Sequence, residues 1–429
     1  MFGFANFLLL ALFAAAVFDL IFALARGGGL RGALHGLWNT PHLLFGQQLA
    51  EWRLQLGRIL FAAGLAAYEI SVVFCNSMAR QNWAWVQGVM SPVLEWLAFL
   101  CFGAKILFGT RYTWRELLAG GALYFIARWV YFNSQNIWWI GIVVAVLAAK
   151  DVSLRRPLQV YFASGCAAMA VVLALHFAGI VAPDLTSERM GALRGTYGYG
   201  HPNTFGGLVF GLVLAYALLR AQKVRWVDCL LVFAVGVFLL VGPASRSAAL
   251  CTLALAVGLV FCRLRAGHSV PRWWPGTCAG MVGLTAGGSY FLPLLVIKVG
   301  PWNNDIGPAW LAKLDSLLTC RISLTWMAYR LLDIKIAGQV FNWPTVDNSF
   351  AFALFQFGPV VAALLGILFA AALWGHAKQG RRVEVCCLFA MLAYAYMEVQ
   401  PFHLTTNPTA LLLCGAVFAQ TSARWQKIE

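Results

Sequence analysis

The stretch "FGFANFLLLALFAAAVFDLIFALA", residues 2–25, decides the fold class. It holds one charged side chain, Asp19, and is long enough as a helix to cross a hydrocarbon core of ~30 Å, which takes ~20 apolar residues. Similar runs recur to the end of the chain. Across 429 residues, 61% are hydrophobic, 11% are charged and the mean hydropathy is +0.75, values that exclude an ordinary water-soluble domain. Lipid offers unpaired backbone groups no partner, and the strict alternation of a barrel strand is absent, so the runs read as helices.

About thirteen transmembrane helices are expected, at 2–25, 58–77, 84–104, 117–134, 137–150, 157–182, 204–221, 226–243, 246–263, 275–298, 349–374, 384–400 and 408–422. The fold class is therefore an all-α polytopic integral membrane protein, with residues 1–429 forming a single membrane domain. The first run lacks a basic lead-in and a clear small-x-small site before Arg26, so it reads as a retained anchor and not a cleaved signal.

The formal net charge of +15 is distributed by topology and does not point to nucleic acid. Alternate connections carry Arg26, Arg31, Arg53 and Arg58; Lys105, Arg111 and Arg115; Lys150, Arg155 and Arg156; Arg220, Lys223 and Arg225; Arg263, Arg265 and Arg272; Lys378, Arg381 and Arg382; and Arg424 with Lys427. The positive-inside rule makes that side cytoplasmic and turns the amino terminus outward. Ten basic residues, among them Arg128, Arg194, Arg246 and Arg321, are not explained in this way. Within the spans, pairing of Arg128 with Glu69 or Glu95 is the expected way to bury those charges. The eleven cysteines show neither CxxC nor Cys/His ligand spacing and read as small apolar fillers; no metal site is expected.

Three polar clusters fall on the predicted external face. In "LRGTYGYGHPNTFGG" (193–207), Arg194, Tyr197, Tyr199, His201 and Asn203 crowd a helix start, where backbone N–H groups favour anions; a glycine-rich loop with a surface histidine is the plainer reading. In "GPASRSAAL" (242–250), Arg246 stands between Ser245 and Ser247, and an arginine near membrane depth calls for a polar cavity. In "VDNSFAFALFQFG" (346–358), Asp347 and Asn348 precede a span, where capping is the default role of such residues. Glu398 lies near the same face.

The external loop 299–348 inserts between spans and is expected to cover the site. Its segment 306–338 reads as one amphipathic helix along the membrane surface. Leu314, Leu317, Arg321, Leu324, Ala328 and Leu331 share a stripe, so Arg321 points either inward or, snorkelling, to headgroups.

The order of these features resembles the O-antigen polymerase and ligase superfamily, most of all its Wzy-type capsular and exopolysaccharide polymerases. The resemblance rests on Arg-x-x-x-x-Gly-x-His-Pro-Asn at 194–203, Ser-Arg-Ser at 245–247, Leu-x-Cys-Arg-Ile at 318–322, Asp-Asn-x9-Gly at 347–358, Glu398 and Asn407. It covers about 190–410; earlier residues match only as spans.

The resemblance implies a GT-C-like fold and an inverting-style glycosyl transfer without cofactor or metal. The glycan moves from a polyprenyl-diphosphate-linked oligosaccharide donor to a lipid-linked acceptor repeat unit, at the outer face of the cytoplasmic membrane. The lipid bilayer is the setting, and a chain-length regulator is a possible partner. In ligases a histidine opens the span after the large loop; Asp347 holds that position here and favours the polymerase branch.

Arg246, Arg194 and Arg321 are expected to hold the diphosphate, Asp347 to act as base, and His201 to donate to phosphate or sugar. Asn203, Asn348, Ser245 and Glu398 would bind substrate, and Tyr197, Tyr199 and Trp343 would stack on sugars. An O-antigen-ligase-like transfer to another acceptor and a non-enzymatic transporter or flippase of lipid-linked glycans are the alternatives. Against transport, the sequence has no repeated halves and no paired broken helices.

Overall fold

The computed structural model describes residues 2–26, 29–46, 51–181, 187–189, 192–296 and 307–418. Among the described residues, eight helices are long and apolar enough to cross a membrane: Gly3–Ala25, Glu51–Cys75, Val86–Phe108, Arg155–Phe177, Pro202–Leu219, Arg246–Leu264, Trp274–Leu295 and Pro359–Lys378. Shorter apolar helices occupy Ile137–Ala148, Trp226–Val241 and Pro408–Val417. Helices Trp114–Ser134 and Arg382–Met397 complete the bundle. Beyond these the chain forms two small antiparallel ribbons, His42–Leu43 with Arg111–Tyr112 and Ser187–Arg189 with Ala192–Arg194.

The bundle's periphery is apolar. Phe13 is 70% exposed, Leu230 66% and Leu284 68%, in helices whose opposite faces pack into the core. In water such a perimeter would favour aggregation; in hydrocarbon it is the expected surface. The chain is an all-α membrane-embedded protein.

Small residues let the helices approach closely. On Pro202–Leu219, a methyl added at Gly206 would lie 2.2 Å from Ser245 Oγ, and one at Gly211 would lie 2.6 Å from the Thr405 carbonyl oxygen. That helix is therefore held on opposite sides by the start of Arg246–Leu264 and by the 405–406 backbone.

Three sequence expectations need correction. The span placed at 349–374 is broken: Ser349–Phe352 runs into a π-helical turn, Ala353–Phe357, and the long helix starts afresh at Pro359. Gly358, at φ 87°, makes the corner, and a methyl there would meet the Ile336 carbonyl oxygen at 2.2 Å. The corner thus also pins the end of the long loop.

Within that loop, whose residues 299–306 lie outside the described ones, there are two helices, Ala309–Leu317 and Arg321–Leu331, not one. Thr319 and Cys320 take left-handed backbone angles between them. The expected stripe is broken with the helix: Leu317 and Leu331 are exposed, whereas Leu311, Ile322, Thr325 and Ala328 are buried.

Arg128 does not pair with Glu69 or Glu95. Its guanidinium donates to Asn6 Oδ1, with Nε at 2.9 Å, and lies over the Phe132 ring. Lys105 and Lys150, which the sequence places in connections between spans, are fully buried. Lys105 Nζ donates to the Lys150 carbonyl at 2.7 Å and Lys150 Nζ to the Arg111 carbonyl at 2.6 Å, tying three connections together.

Candidate functional site

Several helices end together at one end of the bundle: Pro202–Leu219 and Arg246–Leu264 begin there, and Arg382–Met397 finishes there. Each end leaves backbone and side-chain polar groups that must find partners out of water. They find them around Glu398, a buried residue in extended conformation just beyond the last helix. Its Oε1 accepts from Asn203 Nδ2 at 3.0 Å, Ser247 Oγ at 2.8 Å and Arg321 Nη2 at 3.3 Å. The donors lie 195, 151 and 77 residues away in sequence.

The cluster extends from this carboxylate in two directions. Asn203 Oδ1 accepts from Arg194 Nη2 at 2.9 Å and from Ser245 Oγ at 3.4 Å, and Arg194 Nη2 also donates to the Ala244 carbonyl at 3.2 Å. Arg321 Nη1 forms an ion pair with Asp347 Oδ2 at 2.9 Å, while its Nε donates to the Met397 carbonyl at 2.8 Å. Arg194, Asn203, Ser245, Ser247, Arg321, Asp347 and Glu398 therefore form one contact network. Arg246 opens its helix between two of these serines, with its side chain exposed.

Local structure aims Arg321. Asp315, buried at the end of the preceding loop helix, accepts from the backbone N–H groups of Ile322 at 2.7 Å and Ser323 at 3.1 Å. It thereby satisfies the start of Arg321–Leu331 and fixes the left-handed Thr319–Cys320 corner. Asp315 was not singled out in the sequence; its signal is an acidic residue within an apolar loop helix, followed by Cys-Arg-Ile-Ser.

Other expected site residues take different positions. Asn348 is buried and caps its helix, with Oδ1 accepting from Phe350 and Ala351 and Nδ2 donating to Ser289 Oγ at 2.9 Å. Its expected role in substrate binding is therefore replaced by capping. Tyr199 is wholly buried, its ring 5.6 Å from that of Phe205, so it serves the core and not a sugar face. Tyr197 is partly exposed, with one face stacked on Phe205 at 5.0 Å.

His201 caps the Pro202–Leu219 helix: Nδ1 accepts the Asn203 N–H at 3.1 Å, so the N–H of the neutral ring is on Nε2. Trp343, which precedes Asp347 by one short Pro-Thr-Val segment, is 64% exposed.

Burial pushes the Glu398 carboxyl up from its ordinary 4.5 to about 6, against the pull of Arg321 and Ser247. The folded chain then binds this proton more tightly than the unfolded one. The group's contribution to stability is fully present below 4.5, declines as pH rises to about 6, and is lost above, a change of about 2 kcal/mol. Glu398→Gln should remove that slope from the pH dependence of thermal unfolding in detergent. An unchanged slope would place the titration elsewhere.

The network offers guanidinium groups for an anion, a half-buried carboxylate at Asp347, and an internal carboxylate at Glu398 that holds the donors in place. No protein-family model, curated protein or solved structure matches the chain.

Proposed function

We propose that the chain is a membrane glycosyltransferase of GT-C-like fold, a polysaccharide polymerase acting at the outer face of the cytoplasmic membrane. It transfers a glycan from polyprenyl diphosphate to a hydroxyl of a lipid-linked acceptor repeat unit. The observation that carries this reading is the convergence on the buried carboxylate Glu398 of Arg321 directly, of Arg194 through Asn203 and of Asp347 through Arg321, beside Arg246. Those are the groups such a transfer requires, contributed by segments that the sequence separates widely.

In the proposed step the acceptor oxygen attacks the anomeric carbon as its proton passes to Asp347. The bond from that carbon to the diphosphate oxygen breaks, and the electron pair leaves with polyprenyl diphosphate. Charge grows on the leaving oxygen, and arginines already fixed near it stabilise that change without reorganising. Arg246 faces the diphosphate with Arg194 close behind it; Arg321 is shared between the diphosphate and Asp347. Positive charge comes from side chains, so the reaction is proposed to run without divalent metal. His201 Nε2 donates to phosphate or sugar, and Trp343 offers an exposed stacking face.

Purified protein given a lipid-linked repeat unit in the presence of a chelator should produce a ladder of longer lipid-linked chains. Arg246→Ala and Asp347→Asn should each reduce the ladder by about 10²-fold or more while leaving the protein folded. A single added product would indicate ligase-like transfer, and no covalent change would indicate transport. Full activity in both variants would remove this site assignment.

A further inference from the structure

At the end of the bundle opposite Glu398, a cleft of about 540 Å³ lies between the 221–225 turn, the end of Arg246–Leu264 and the turn that leads into Arg382–Met397. Its walls carry Lys223, Arg225, Arg263, Arg381 and Arg382, against the single carboxylate of Glu384. We propose that this cleft is a second binding site, specific for a phosphate-bearing anion.

Topology alone explains basic residues on a connecting turn, but not their placement around one concavity. The volume falls in the range of small-molecule pockets, ~300–1,000 Å³. Asp228, which bonds the lining residue Arg225, is already engaged: it accepts from Tyr216 Oη at 2.6 Å, from Arg220 Nε at 3.2 Å and from the Arg225 N–H at 2.7 Å. It therefore offsets Arg220 first and leaves the cleft strongly cationic.

Arg382 is held in place, its guanidinium donating to the Arg265 carbonyl at 2.6 Å and to that of His268. Helices Trp226–Val241 and Arg382–Met397 begin at this rim and Arg246–Leu264 ends there, so the helix dipoles partly offset one another and the basic side chains set the field. Guanidinium forks match phosphate oxygens in geometry as well as charge. A phosphorylated headgroup at that membrane surface and a free phosphate ester present the same chemistry.

The test uses the full chain and does not depend on the transferase reading. In neutral detergent, inorganic diphosphate is titrated calorimetrically into the wild type and into the Arg263→Gln/Arg381→Gln double variant. In parallel, both are placed in nanodiscs of equal phosphatidylglycerol and phosphatidylcholine, and retained lipid is identified by mass spectrometry. Diphosphate binding weakened about tenfold or more by the double variant supports a free anion. A phosphatidylglycerol preference that is lost in the double variant supports a lipid headgroup. The Arg263→Lys/Arg381→Lys variant, which keeps both charges, should fall between the two and controls for folding. Equal behaviour of the wild type and the glutamine variant toward both probes overturns the proposal.

Discussion

Arg321→Ala should lower chain extension by about 10²- to 10³-fold, the size of effect seen when one preorganised donor to a developing oxyanion is removed. The same change should destabilise the fold. It leaves Asp347 and Glu398 facing each other without the guanidinium that now lies 2.9 Å from one and 3.3 Å from the other. Stripping one partner from a buried pair costs ~3–5 kcal/mol, part of which protonation of Glu398 will offset.

Arg321→Lys separates the two effects. A lysine retains the charge but cannot span Asp347, Glu398 and the Met397 carbonyl together, so stability should largely return while activity stays low. Product ladders and thermal unfolding, measured on the same preparations, check both. If Arg321→Ala folds and extends chains at the wild-type rate, Arg321 is a structural brace and not part of the anion clamp.

The second large effect is expected from a methyl group. Gly206→Ala would place a Cβ 2.2 Å from Ser245 Oγ and 2.6 Å from Ser245 Cβ. Something must move, and both candidates carry site residues: Pro202–Leu219 presents Asn203, and Arg246–Leu264 presents Arg246 and Ser247. Overpacking of this kind costs ~1–3 kcal/mol, too little to unfold most proteins but enough to displace donors by a few tenths of an ångström or more. Activity should therefore fall more steeply than stability. Gly121→Ala, at a glycine with open space around its Cβ position, should leave both unchanged. Equal activity in the two variants would show that the spacing between these helices does not set the site.

The helical, membrane-embedded class was legible from hydropathy alone, because a bilayer permits few other solutions for so many apolar runs. The site segments were legible as interruptions of those runs, where polar residues are costly without a purpose. Partnerships were not. Glu398 read as one acid near a helix end, since nothing local reveals that its three donors arrive from 77 to 195 residues away.

For Arg321 the sequence left an inward position and snorkelling to headgroups open, and the stripe that raised the choice assumed one continuous helix. The left-handed Thr319–Cys320 corner, stabilised by Asp315, has no glycine or proline to announce it. Gly358–Pro359 did announce a break, and the apolar residues on both sides masked it. Tyr199 and Asn348 carry side chains that suit a binding site, yet core packing and helix capping claim them first; composition cannot distinguish these uses.

The most direct test of the account is a cryo-EM structure of the protein with a non-transferable phosphonate analogue of polyprenyl diphosphate bearing one repeat unit. Diphosphate density is expected within hydrogen-bonding distance of Arg246 and Arg321, with Arg194 close behind and the anomeric carbon beside Asp347. Density confined to the Lys223–Arg382 cleft at the opposite end, or a donor whose diphosphate touches none of these three arginines, would contradict it.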